Sequence, residues 1–266
     1  MFFPLHNNQQ EACPSKRGNG FTKKQQDNTM KKLSTLTVAL FLSAGMAFAQ
    51  SNDATISQVG DNHEASIEQA GSTNTGSISV YGGSGSLTTI EQFGNFNQAD
   101  MEDIRDNIEA SQYQSGDNNT AYIGQARQNY TITQVQVGDD NSATFLGHNK
   151  SSVRGGSILQ DQLGDGNTAE ILGANNKNFM SQIQIGDNNV ASVTGHNYSD
   201  NSSTMYQHGV GNSAVLELPG SAKYNSSTFT QIGDDNMGFV SQMGENNTAV
   251  ISQTGDSNTA TITQGL

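Results

Sequence analysis

One six-residue pattern, Gln-x-Gly-x-x-Asn, occurs nine times between residues 69 and 258, at spacings of 22 to 26 residues. The glutamines are Gln69, Gln92, Gln114, Gln136, Gln162, Gln184, Gln207, Gln231 and Gln253. The glycines are Gly71, Gly94, Gly116, Gly138, Gly164, Gly186, Gly209, Gly233 and Gly255. The asparagines are Asn74, Asn97, Asn119, Asn141, Asn167, Asn189, Asn212, Asn236 and Asn258. Agreement at three positions in all nine copies indicates an array of similar units that stack on one another.

A weaker column lies eleven residues after each of these glutamines. Its members are Val80, Asp103, Gln125, Gly147, Gly173, Gly195, Leu218, Gln242 and Gln264, with Gln58 before them all. We call the glutamines, glycines and asparagines of the six-residue pattern the strict residues. The step from each member of the weaker column to the next strict glutamine varies from 11 to 15 residues. Insertions such as HNKSSVRGGS and PGSAKYNSS are therefore confined to one side of the repeat.

Each half-unit alternates in the manner of a β-strand, as in Ala260-Thr-Ile262-Thr-Gln264. The intervening Gly-Asp-Asn-Asn segments contain turn residues that tolerate positive φ. Each unit therefore reads strand, turn, strand, turn. We predict an all-β protein, a β-solenoid of about nine stacked repeats of about 22 residues with a core like that of cross-β assemblies.

The invariant amides predict ladders inside the solenoid. A buried amide is costly unless its donors and acceptor are all paired. A like amide one layer away, at the ~4.8 Å spacing of paired strands, provides the missing partner. We therefore expect the strict glutamines and asparagines to stack on their own kind, with the strict glycines in the turns.

Composition excludes several classes of function. Hydrophobic residues are only 33% of the 266, too few for the core of a conventional globular enzyme of this length. A net charge of −13 disfavours nucleic acid as a partner. Because no catalytic triad, zinc motif or phosphate-binding glycine loop occurs in a suitable context, we predict no catalytic residue, no cofactor and no enzymatic activity.

The amino end predicts export. Residues 30–49 contain two lysines, an apolar run and the ending Ala47-Phe48-Ala49, the parts of a secretory signal peptide. Residues 1–29 are interpreted as an extension from a start codon assigned too early. Removal of 1–49 would leave residues 50–266 as the repeat domain, with 6 Lys and Arg, 23 Asp and Glu, and no cysteine.

An acidic residue often follows the strict glycine, so stacking would align carboxylates along one edge. Such a row is a weak candidate for Ca²⁺ binding, whereas solvated turn aspartates are the favoured interpretation because the period is eleven rather than nine residues. The candidates are Asp117, Asp139, Asp165 and Asp187.

The repeats extend almost to both ends of the sequence, with no evident capping segment. Unpaired end strands can template another chain, so we expect polymerisation to be the function. The alternative is a monomeric β-solenoid that acts as an adhesin or a ligand-binding surface protein.

The pattern resembles the curlin repeats of curli fibre subunits, and Gln136-Val-Gly138-Asp-Asp-Asn141-Ser-Ala143 shows its central part. The similarity covers about residues 54–264, but the glycine-rich segment that precedes the repeats of familiar curli subunits is missing. Resemblance implies a major or minor subunit of a secreted, extracellular functional amyloid at the cell surface, which supports biofilm and adhesion. It also implies three partners: other copies of the chain, a nucleator subunit and an outer-membrane secretion pore.

Overall fold

The computed structural model describes residues 38–41, 51–147, 155–174, 177–220 and 222–265. The predicted extension, 1–29, lies outside them, and so does the predicted signal peptide except for Val38–Phe41. Regular structure in these segments consists of β-strands alone, twenty in number. They include no apolar helix of the length needed to cross a bilayer.

The strands alternate between two parallel sheets. The first sheet contains β1 (Val38–Phe41), β3 (Glu64–Ser72), β5 (Leu87–Asn95), β7 (Glu109–Ser115), β9 (Tyr130–Val137), β11 (Gly156–Leu163), β13 (Asn178–Ile185), β15 (Ser202–His208), β17 (Ser226–Ile232) and β19 (Thr248–Thr254). The second contains β2 (Asp53–Asp61), β4 (Thr75–Ser84), β6 (Gln98–Ile104), β8 (Thr120–Gly124), β10 (Ser142–Gly147), β12 (Thr168–Ala174), β14 (Val190–Tyr198), β16 (Ser213–Leu218), β18 (Met237–Gln242) and β20 (Thr259–Gln264). Each strand pairs with the strand two positions along the chain, so the predicted all-β solenoid of about nine 22-residue turns is confirmed.

Two kinds of turn connect the sheets. The constant edge consists of the nine turns from a strict glycine to its asparagine, from Gly71–Asn74 to Gly255–Asn258, each leading from the first sheet to the second. The variable edge consists of the turns that return from a second-sheet strand to the first sheet. The insertions of the sequence lie at the variable edge, where each turn can differ from its neighbours without changing the register of the strands.

The core lies between the sheets and consists of stacked columns. The second sheet contributes a column of alanine or glycine and a column of larger apolar residues. The larger residues are Ile78, Met101, Ile123, Phe145, Ile171, Val193, Leu216 and Val240, all at most 1% exposed. Burial of each such side chain contributes about 1.5–3 kcal/mol, and the column requires similar volume rather than identity.

The weaker column departs from its expected spacing at three layers. Val80 pairs with Ile104 rather than with Asp103, and Gly147 pairs with Ala174 rather than with Gly173. Asp103, Gln125 and Gly173 have positive φ and mark β-bulges. One extra residue at each bulge places Ile104, Ala126 and Ala174 in the core instead. The expected eleven-residue step is therefore wrong at these three positions.

Candidate functional site

The strict glutamines form one unbroken ladder through the first sheet. The Nε2 of each donates to the Oε1 of the next over 2.7–2.9 Å, from Gln69 through to Gln253, in eight successive hydrogen bonds. All nine side chains are at most 7% exposed. Because every layer presents the same amide, each internal glutamine has both a donor above it and an acceptor below it.

Each glutamine also bonds the facing sheet. Its second N–H donates to the carbonyl oxygen of the first residue of a second-sheet strand, as Gln92 does to Thr75 at 3.1 Å and Gln136 to Thr120 at 3.0 Å. One side chain thus joins two layers and two sheets. These pairings offset the cost of burying an amide, since a buried polar group left unpaired costs about 1–3 kcal/mol.

The side chains of the strict asparagines form hydrogen bonds to backbone groups as well as to one another. The Oδ1 of each accepts from the backbone N–H of the next asparagine, as in Asn119 to Asn97 at 3.0 Å. The Nδ2 donates to the carbonyl of the next strict glycine, as Asn119 does to Gly138 at 2.7 Å. Asn52, 22 residues before Asn74, makes the same two bonds, to Asn74 and to Gly71. The column has a tenth member that the six-residue pattern does not identify but the 22-residue spacing does.

The strict glycines allow the turns of the constant edge to stack directly. Their φ values lie between +98° and +132°, where only glycine is comfortable. A Cβ at Gly138 would overlap the carbonyl oxygen of Gly164 in the next layer, and the same clash recurs from Gly71 to Gly233. A side chain at these positions would therefore separate adjacent layers.

The aspartates that follow these glycines accept hydrogen bonds from backbone. Asp139 Oδ1 accepts from the N–H of Asp117, Asp165 from Asp139, and Asp187 from Asp165, over 2.8–3.0 Å. Asp117 accepts in the same way from Asn95. The four candidate Ca²⁺ ligands thus form one row, a carboxylate per layer, and each binds the turn of the preceding layer. Nowhere in the described segments do three acidic, histidine or cysteine side chains converge on a common point.

A second glutamine ladder lies two residues before the strict one. Gln112 donates to Gln134, Gln134 to Gln160 and Gln160 to Gln182, over 2.7–2.9 Å. The other members of this column are apolar, with Ile67 and Ile90 before it and Met205, Phe229 and Ile251 after it. The sequence analysis missed this ladder, although Gln-x-Gln in four successive repeats signals it.

This second ladder, from Gln112 to Gln182, is called the inner ladder below. It has an unpaired atom at its first residue. Gln112 Oε1 is buried without a hydrogen-bond partner in the described structure, because the neighbour above it is Ile90. At the other end Gln182 Nε2 donates to the backbone carbonyls of Glu170 and Ala191, each at 3.0 Å, and it lies 3.9 Å from the sulfur of Met205. The change from an apolar residue to an amide at Ile90 and Gln112 therefore leaves one acceptor unsatisfied, whereas backbone carbonyls satisfy the donor at the other end.

The first and last described strands of the second sheet have the same inner residues. β2 presents Ala54, Ile56 and Gln58, and β20 presents Ala260, Ile262 and Gln264. These side chains are only half-buried, whereas their equivalents in the layers between are fully buried. Both strands therefore expose an edge and part of a core face that match each other residue for residue.

The amides near these edges form a short ladder of their own. Gln242 Nε2 donates to Gln264 Oε1 at 3.0 Å, and Gln264 Nε2 donates to the carbonyl of Thr248 at 2.8 Å. Gln58 Nε2 is buried without a partner in the described structure, since Val80 follows it in the column. Donation runs from each layer to the next, so the glutamine that would follow Gln264 is one that accepts at Oε1.

Comparison with known proteins agrees with this reading of the repeats. A family model described as the curlin associated repeat matches residues 49–82 and 233–265, which include β2, β3, β19 and β20. No curated protein matches the chain. The repeats between the matched segments have the same glutamines, glycines and asparagines in the same register. The chain therefore contains curlin repeats, which the family model identifies in these two segments.

Proposed function

We propose that the protein is a secreted structural subunit, without enzymatic activity, that self-assembles head to tail into extracellular curli-like amyloid fibres. These fibres support biofilm matrix and surface adhesion. One observation carries the proposal: the half-buried edges of β2 and β20 have the same inner sequence, Ala-Thr-Ile-x-Gln. An edge strand that matches its own opposite end is a template for another copy.

The joint between copies follows from this match. β20 of one copy pairs in parallel with β2 of the next, so that Ile262 stacks on Ile56. Gln264 then donates its remaining N–H to Gln58 Oε1, which extends the Gln242–Gln264 ladder across the joint. In the second sheet the joint has the chemistry of an internal layer, and stacking therefore continues from copy to copy.

The joint also defines a strand position in the first sheet. With β20 on β2 of the next copy, one position lies open between β19 and the β3 of that copy. In the structure β1 fills the position beside β3, with Val38 opposite Ala65. Signal cleavage after residue 49 would remove β1, so in the proposed fibre each joint offers a single strand site for an extended segment. The proposed partners are other copies of the chain, a nucleator subunit and an outer-membrane secretion pore.

Purified residues 50–266, diluted from denaturant, test the proposal by thioflavin fluorescence and electron microscopy. We expect fibres that seed further growth. The variant Ile262→Lys should stop growth because it places a charge in the joint. Val250→Lys is the matched control, since Val250 is 62% exposed on the neighbouring strand β19 and faces away from the core.

A mixing experiment tests the direction of assembly. Ile56→Lys blocks the β2 edge and Ile262→Lys blocks the β20 edge, so neither variant alone should grow. An equimolar mixture should form dimers with one intact joint and no longer species, as measured by analytical ultracentrifugation. A wild-type chain that stays monomeric for days would contradict the proposal and favour the monomeric adhesin.

A further inference from the structure

A groove on the outside of the second sheet is not used by the ladders or the joint. It has a volume of about 410 Å³ and lies on the outer face of the strands β4, β6 and β8, of which β4 is the neighbour of the end strand β2. The side chains that form it include Tyr81, Glu102, Asp103, Arg105, Tyr122 and Arg127. The fold places two of the six basic residues of 50–266, Arg105 and Arg127, in this groove.

The bulges of the variable edge build the groove. Positive φ at Asp103 and Gln125 shifts the chain by one residue in two successive layers. Arg105 and Arg127, each two residues after a bulge, then stand in adjacent layers on the same side. Without the bulges the alternation of the strands would place Asp103 in the core, so the groove depends on the irregularity of these two turns.

One carboxylate holds both guanidinium groups. Arg105 Nε donates to Asp103 Oδ1 at 2.6 Å, and Arg127 Nη2 donates to Asp103 Oδ2 at 2.8 Å. Burial raises the pKa of the Asp103 carboxyl, but the hydrogen bonds from Arg127 and Arg105 outweigh it and lower the pKa below its usual value. The arginines are thus fixed in position, and each retains N–H groups for another partner.

One of these N–H groups is an orphan. The Arg127 side chain is only 12% exposed, and its Nε is buried without a hydrogen-bond partner among the described residues. Buried donors in folded proteins are almost always paired, so an exception calls for an explanation. Arg127 forms part of the wall of the groove, and a ligand oxygen there would provide the partner once the guanidinium group turns toward it.

The groove also offers acceptors and an aromatic surface. Tyr122 donates its hydroxyl hydrogen to Glu102 Oε2 at 3.2 Å, which leaves the phenol oxygen and the other carboxylate oxygen as acceptors. Burial and the nearby Glu102 raise the pKa of Tyr122 to about 12, so the hydroxyl stays protonated near neutral pH. Tyr81 is 61% exposed, and the Arg105 guanidinium lies 5.7 Å from its ring centroid.

We propose that this groove binds a neutral saccharide. Each sugar hydroxyl both donates and accepts, which fits arginine donors placed beside carboxylate and phenol acceptors. The apolar face of a sugar ring fits the exposed ring of Tyr81. An anion would need donors alone, and Glu102 in the groove would repel it. Because the groove lies on the outer face of the second sheet, and copies stack through the edges of β2 and β20, it stays open when copies stack.

An array of neutral oligosaccharides tests the proposal on the full chain. The array carries chains of two to four glucose, galactose, mannose or N-acetylglucosamine units, beside acidic uronate chains of equal length. We expect saturable binding to at least one neutral chain and none to the uronates. Tyr81→Ala should weaken binding at least tenfold. Tyr224→Ala is the matched control, since Tyr224 is 57% exposed and lies outside the groove.

A second variant separates binding from folding. Glu102→Gln keeps the size of the side chain and removes its charge, so the fold is unchanged but hydroxyl binding weakens. Three outcomes would overturn the proposal: no binding to any neutral chain, preference for the uronates, or equal losses in Tyr81→Ala and Tyr224→Ala. Fibre growth is scored separately on the same samples, so a failure to assemble does not decide the binding result.

Discussion

The constant and variable edges of the solenoid follow different rules. At the constant edge every layer repeats the same glycine, asparagine and backbone contacts, and the strict ladder has no unpaired amide between its ends. At the variable edge the column residues change from layer to layer. Two buried polar atoms without a partner in the described structure lie there, on His63 and Arg127. Identity between layers therefore satisfies buried polar groups, and its loss leaves room for insertions and for a groove.

Matched glycine substitutions should show the largest difference between the edges. Gly138→Ala adds a Cβ against the Gly164 carbonyl, whereas Gly244→Ala at the variable edge adds one in open space, and both residues have positive φ. We expect Gly138→Ala to lower the free energy of unfolding by more than about 4 kcal/mol, because layers must separate. Gly244→Ala should cost about 1–2 kcal/mol from backbone strain alone. Urea denaturation of the monomer measures both, and equal losses would contradict the stacking of glycine turns.

Glutamine substitutions should show the next largest difference. Gln136→Ala leaves a donor on Gln114 and an acceptor on Gln162 unpaired, and Gln162→Ala does the same one layer on. At about 1–3 kcal/mol for each unpaired group, either change should cost roughly 4 kcal/mol and slow fibre growth. Gln125→Ala, on the half-buried outer side of a bulge, should cost less than about 0.5 kcal/mol. Comparable effects at Gln125 and Gln136 would refute the ladder as the source of stability.

Two substitutions in the inner ladder sharpen the same rule. Gln112→Leu moves the unpaired acceptor from Gln112 to Gln134, so the number of unsatisfied acceptors in the ladder stays the same. Gln134→Leu splits the ladder and strands a donor on Gln112 as well as an acceptor on Gln160. We expect Gln134→Leu to be less stable than Gln112→Leu by about 1–3 kcal/mol. Thermal unfolding of the two variants decides this, and the reverse order would count against the account.

The smallest expected effect concerns pH at the variable edge. The pKa of Asp103 is lowered in the folded protein, so its stabilisation is present above the unfolded value of about 3.9 and is lost as pH falls through the folded value. Because the carboxylate is partly exposed, the effect should be below about 1 kcal/mol. Asp103→Asn should remove this part of the pH dependence between about pH 5 and pH 2. Glu109→Gln, on an exposed strand position, should leave it intact.

The regular part of the molecule was predictable because one pattern recurs at a fixed spacing. The column from Gln69 to Gln253 required only the 22-residue period and the principle that like amides pair. The irregular part depends on side-chain volume and backbone shifts that no column reveals. The bulge at Asp103 replaces it with Ile104 because an apolar residue one position later fits the core better than a carboxylate. The groove follows from that local choice, so the sequence pattern did not indicate it.

The inner ladder was missed for a different reason. Its column contains isoleucine, methionine and phenylalanine as well as glutamine, and a search for invariant positions discards it. A comparison of adjacent layers would retain this column, since four successive layers contain glutamine in it: Gln112, Gln134, Gln160 and Gln182. A ladder requires agreement only between adjacent layers. Local runs of identity are therefore as informative as identity throughout the chain.

A density map of assembled fibres at near-atomic resolution tests the central claim most directly. We predict that β20 of one copy pairs in parallel with β2 of the next, with Ile262 over Ile56, Gln264 over Gln58 and the layer spacing unchanged at about 4.8 Å. Fibres in which copies associate sideways through the variable edge, or in which β20 and β2 lie apart, would contradict it.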